Sequence, residues 1–106
     1  MKTVNRSFVL VSPKTPFFDH FIPLMEEPEW AKFHEPSIYL VEEDLWNEDA
    51  VIEKYMKAIA LEECSQLCDK IELFPVINDV AVFLHYFQVQ LGTTVNDCLN
   101  KPLNKL

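Results

Sequence analysis

The sequence predicts a small α+β domain of about three strands and three helices, in the order β-α-β-α-α-β. Three observations carry that expectation. Two short runs, SFVLV at Ser7–Val11 and SIYLV at Ser37–Val41, are rich in strand-forming residues and lie beside prolines. The stretch that starts at Glu48 repeats apolar residues with the period of a helix lying on a core. Finally, Ile77 to Leu99 opens with a helical spacing through Ile77, Val80, Ala81, Leu84 and Phe87, then alternates from Val89 onward. A helix that runs directly into a half-buried strand gives the rest of the chain something to cover.

Taken in order, Ser7–Val11 is apolar on both faces and reads as a flanked strand, stopped at Ser12-Pro13. Thr15 before Pro16 reads as a helix start, and a short helix to about Ile22 would present Phe17, Phe18, Phe21 and Ile22 before Pro23 limits it. Met25 to Pro36 is a connector with one helical turn after Pro28, and Ser37–Val41 is the second strand. The connection is long enough for a right-handed parallel crossover between these two strands. Asn47 is a good N-cap, with Glu48 and Asp49 where acids favour the helix dipole. The long helix is expected from Glu48 to about Asp69, with Ile52, Tyr55, Met56, Ile59, Ala60 and Leu67 in one arc. The Ile77 helix and the last strand follow. The single glycine, Gly92, marks a bulge or a close backbone approach inside that strand. Residues 101–106 read as a frayed tail to a single domain spanning 1–106.

Composition bounds the function classes. The chain has 106 residues, 49% of them hydrophobic, with eight Phe, three Tyr and two Trp. That is enough for a core without metal or disulfide. The formal charge of −8 disfavours a phosphate backbone or an anionic membrane as partner. No run approaches a spanning helix or a signal peptide, and three cysteines fit a reducing, cytoplasmic setting.

Glu63 is the first candidate for chemistry. Its helical phase puts it between Ile52 and Met56 on the apolar arc, where a carboxylate must be paired, hydrogen-bonded or protonated. The competing expectation is that the arc runs out past Ala60 and leaves Glu63 at the sheet's rim. Asp97 and His85 join it as further catalytic candidates, because a pocket near Glu63 would need a second carboxylate or an imidazole. Cys64 and Cys68 share a helix face, but with no second ligand pair the expectation is no metal and no cofactor. There is no glycine-flanked serine elbow and no phosphate-binding loop.

Two groups of residues suggest contact instead. Most of the acidic residues fall between Glu26 and Glu53, interleaved with Trp30, Phe33 and Trp46, which resembles a polar-rimmed binding surface. On the Ile77 helix, Val82 and Tyr86 point roughly opposite the inner stripe, which predicts a second apolar side and self-association.

The opening SFVLVSPKTPFFDHF, followed by SIYLVEE, resembles the start of a family of small uncharacterised bacterial proteins. These share a strand, a Pro-Lys-x-Pro-Phe turn, matched here by Pro13, Lys14, Pro16 and Phe17, and an aspartate matched by Asp19. The family's usual aromatic is replaced here by His20. The resemblance implies the same domain and no assigned activity. The leading expectation is therefore a non-catalytic interaction or accessory module acting on a protein partner or on itself. The alternative is a small enzyme or ligand binder with a pocket near Glu63 and Asp97.

Overall fold

The computed structural model describes residues 1–43, 47–99 and 101–102. Its elements run β1 (Lys2–Val4), β2 (Ser7–Pro13), α1 (Thr15–Phe21), β3 (Ser37–Val41), α2 (Glu48–Ser65), α3 (Val80–Tyr86), β4 (Phe87–Gly92) and β5 (Val95–Asp97). Short 3₁₀ turns at Ile22–Leu24, Pro28–Phe33 and Ile71–Leu73 link them. The fold is mixed α and β, but the expected β-α-β-α-α-β order lies between two further strands. β1 and β5 pair antiparallel as a sheet of their own, with Thr3 opposite Asn96. A three-residue strand such as β1 carries too little pattern to be seen in sequence.

β2 is the centre of the main sheet, ordered β3-β2-β4, with both neighbours antiparallel to it. This corrects the expected parallel crossover. A parallel return needs a helix that runs back along the sheet. Here Pro23 ends α1 early, and the connector stays at one end of the sheet, where Val11 pairs with Ser37. The last strand also divides, with β4 ending at Gly92 and Val95 starting β5. Gly92 lies beneath the ring of Phe8, and a Cβ there would collide with it. The glycine therefore serves close approach, the aromatic ring filling the space that a side chain would occupy.

All three helices bury residues against one face of the sheet. Val9 and Val11 of β2, Val41 of β3 and Phe87 of β4 join Phe17 and Phe21 of α1, Ile52, Met56 and Ile59 of α2, and Phe83 of α3 in one core. Phe17 is 5.1 Å from Phe87 between ring centroids, and Phe83 is 4.9 Å from Phe87, so a line of rings ties α1 to α3 through β4. Each such ring, fully buried, contributes on the order of 2 to 3 kcal/mol by transfer.

Helix ends follow local chemistry. The Asn47 side chain accepts from the Ala50 amide at 3.1 Å and starts α2. That helix ends at Ser65 rather than near Asp69, where the Gln66 and Leu67 amides tighten onto the carbonyls three residues back, Glu63 and Cys64. α3 starts later than its spacing predicts. Asp79 caps it by accepting from the Val82 amide at 2.8 Å, leaving Ile77 buried but outside the helix. Its fully buried residue is Phe83, and Val82 and Tyr86 are both half-buried against the core. The expected second apolar side of this helix is thus partly taken up by the chain's own core. A helix of two turns between α1 and α2 has both flanks occupied. Among the described residues, no helix is long and apolar enough to cross a membrane. Of the expected tail, Lys101 and Pro102 are exposed, and 103–106 lie outside the described residues.

Candidate functional site

Glu63 is the only buried charged side chain among the described residues, with no measurable exposure. The apolar arc of α2 does not run out at Ala60; it continues through Glu63 and Cys64, and the rim placement is overturned. Three elements supply its partners. Tyr39, on the core-facing side of β3, donates its hydroxyl to Glu63 Oε2 at 2.5 Å. His34, at the end of the Pro28–Phe33 turn, places Nε2 3.4 Å from Oε1, with its ring almost wholly buried. Gln66, where α2 ends, donates from Nε2 at 3.3 Å.

These donors decide the electrostatics. Burial alone would raise the Glu63 carboxyl, but the hydrogen bonds, from His34 first and then Tyr39, outweigh it and hold the group below its ordinary value. The Tyr39 hydroxyl moves the other way, raised well above its ordinary range by burial and by the carboxylate it bonds. Burial pushes the neighbouring Cys64 thiol up to about 12, so it is no nucleophile at neutral pH. The arrangement is a locked carboxylate with its donors satisfied. Having no solvent exposure, it reaches a bound molecule only through His34 or Gln66.

Those two residues open onto a groove of about 550 Å³ whose outer wall is Trp30 and Phe33. A second hollow of about 620 Å³, lined by Glu26, Glu27 and Lys70 among others, lies on another side of Trp30. Trp30 and Phe33 are 58% and 62% exposed, their ring centroids 5.6 Å apart. The turn that carries them is anchored by buried Ala31 and by His34. The Trp30 indole N–H donates to the Glu27 carboxylate, and Lys32 Nζ sits 5.2 Å over the Phe33 ring. The platform therefore already holds one carboxylate and one cation from its own turn.

The other sequence candidates lie elsewhere. Asp97 is on β5, accepts from the Leu99 amide at 2.9 Å, and lines a hollow with Lys2, Thr3 and Pro102. His85 is exposed on α3, its ring edge-on to Tyr86 at 5.0 Å. Neither is among the hydrogen-bond partners of Glu63, so the three catalytic candidates are not joined by contact. Trp46 lies outside the described residues. Val82 and Tyr86 are half-buried packing residues. Among the described residues, no three His, Cys, Asp or Glu side chains gather as a metal site. His34 and Tyr39 are the residues that sequence reasoning missed. Only the alternation that puts Tyr39 on the same side as Val41 pointed to either. His20 bonds the Leu73 carbonyl at 2.7 Å and pins α1 to the Ile71–Leu73 turn.

The chain matches no protein-family model, no curated protein and no solved structure.

Proposed function

We propose that this chain is a small cytoplasmic, non-catalytic interaction module that docks a protein partner on the Trp30–Phe33 platform. The observation that carries the reading is the exposure of two large aromatics side by side on an anchored turn. Aromatic area of this kind, fixed before binding, is what interface hot spots are made of. Glu26, Glu27 and Glu35 line the hollows beside it, and with a formal charge of −8 they favour a basic segment over nucleic acid or an anionic surface. The likeness of the opening to small bacterial proteins is part of the same proposal; it supplies a setting and no activity.

A titration followed by NMR tests this. An amide-capped peptide of alternating Arg and Leu should shift the Trp30 indole and Phe33 signals, while an alternating Glu and Leu peptide should not. Trp30→Ala should abolish the response without unfolding the chain, since the side chain is mostly in water. Shifts confined to other surfaces, or equal shifts with both peptides, would remove the platform from the account.

A second reading, a ligand-binding protein, draws on one observation: His34 both lines the groove and contacts buried Glu63. A polar ligand there would sense the carboxylate through the imidazole. Asp97 has no part in that pocket.

A further inference from the structure

The two faces of the main sheet differ in what covers them. The face carrying Val9, Val11 and Val41 receives the helices, while Phe8, Leu10, Ile38 and Leu40 lie on the other side and none of them joins the core. The register places Phe8 opposite Leu40 and Leu10 opposite Ile38, so the four form one continuous apolar block across two strands. Ile38 is 64% and Leu40 48% exposed, although both sit in the middle of a strand. On β4 the same face continues with Gln90 opposite Leu10 and Gln88 opposite Ser12. Among the described residues, no helix packs there.

We propose that this outer face stacks on the same face of a second copy of the chain, forming a two-fold symmetric dimer through β2, β3 and β4. Two properties of the face select a second copy over another partner. First, none of its residues is charged, although the chain carries 17 acidic and 9 basic residues. In a two-fold contact, groups near the axis meet themselves, so a face free of charge lets an acidic protein stack on itself without like charges meeting there. A basic partner would find no complementary charge on it. The second property is size. Three strands about 4.8 Å apart, paired over five or six residues, bury on the order of 1,000 Å² in total when stacked on a copy, the lower limit of a specific interface. The expected dimer is therefore weak and reversible. It forms on a different surface from the Trp30–Phe33 platform and does not depend on that reading.

Sedimentation velocity between about 5 and 500 µM should show the mass-average coefficient rising toward that of a dimer. Raising the salt concentration should strengthen the association, because the contact is uncharged while each copy carries a formal −8. Ile38→Glu should weaken it at least tenfold. Leu61→Glu, which adds the same charge at a 49% exposed apolar position on α2, should leave it unchanged. Both positions face water, so circular dichroism should show both variants folded. Amides on the unpaired side of β3 should exchange as fast in the dimer as in the monomer. A monomer at every concentration, an association weakened by salt, or equal effects of the two variants would each overturn the proposal. New protection along the free side of β3 would do so too, since it would mean edge-to-edge pairing in place of face-to-face stacking.

Discussion

Glu63 and Glu42 are held by nearly the same chemistry and stand in opposite surroundings. Each takes a tyrosine hydroxyl and a basic side chain: Tyr39 and His34 for Glu63, Tyr55 and Lys54 for Glu42. Both carboxyls are held below the ordinary value. For Glu42 the largest cause is the Tyr55 hydrogen bond, and the carboxylate is exposed to water. For Glu63 the largest influence is burial, which opposes ionisation, and the donors overcome it. A shift of the same direction therefore means different things. At Glu42 the donors are interchangeable with water, whereas at Glu63 no water can take their place.

The largest expected consequence is at Glu63. Replacing it with Leu would strand the Tyr39 hydroxyl and the His34 ring in the interior, at a cost of about 3 to 5 kcal/mol. Glu63→Gln keeps the shape and loses about half of that, because one amide donor faces groups that also donate. The pH dependence follows from the lowered folded value. The stability that Glu63 contributes is present above the unfolded carboxyl value of about 4.3 and is lost as pH falls through the folded one. Urea midpoints of wild type and Glu63→Gln should therefore stay apart at neutral pH and converge only in acid. Convergence already near neutrality would mean a raised carboxyl, and the cluster would then have to be read as poorly satisfied.

How much of this was legible beforehand differs by feature. Helical phase alone puts Glu63 on the buried arc of α2, because a helix fixes its own side-chain directions. Its partners are another matter. His34 and Tyr39 come from a 3₁₀ turn and a strand, and only tertiary packing brings them to the helix. The two apolar faces of β2 were legible as well, through the alternation of Phe8 and Leu10 with Val9 and Val11. Which face the helices cover was not, since that depends on how α1, α2 and α3 are routed. β1 escaped because it is three residues long and pairs across the whole chain, and the same long-range pairing separates β5 from the strand with which its alternation is continuous. Trp30 and Phe33 stood out in composition, as aromatics among carboxylates; their exposure required the fold.

A smaller effect separates the two tyrosines. Tyr39→Phe removes the shortest hydrogen bond to Glu63 and keeps the ring, so about 1 kcal/mol of stability should go. With one donor lost, the Glu63 carboxyl moves up, and the acid limb of the stability curve should move to higher pH with it. Tyr55→Phe removes the corresponding hydroxyl from Glu42, where solvent replaces it. Its acid limb should coincide with wild type. Paired acid titrations followed by tryptophan fluorescence would compare the two. A matching displacement in both variants would show that burial is not what distinguishes the sites.

The smallest effect is expected at Glu42 itself, and that is what makes it a useful control. Lys54 Nζ is 3.3 Å from its carboxylate, close enough to count as an ion pair, and both side chains are exposed to water. Attraction between such groups is weakened by solvent and by salt, and holding two long side chains in place costs entropy. Glu42→Gln should therefore leave the urea midpoint of the protein unchanged within error at physiological salt. At low salt the substitution has a second consequence. It removes one negative charge from a chain with a formal charge of −8, which relieves general repulsion and opposes whatever the lost pair contributed. The sign at low salt should thus be near zero or slightly stabilising, fading as salt is added. A clear destabilisation that persists in high salt would show that the Glu42, Tyr55 and Lys54 group acts as a cooperative network despite its exposure, and the contrast with Glu63 would no longer rest on burial.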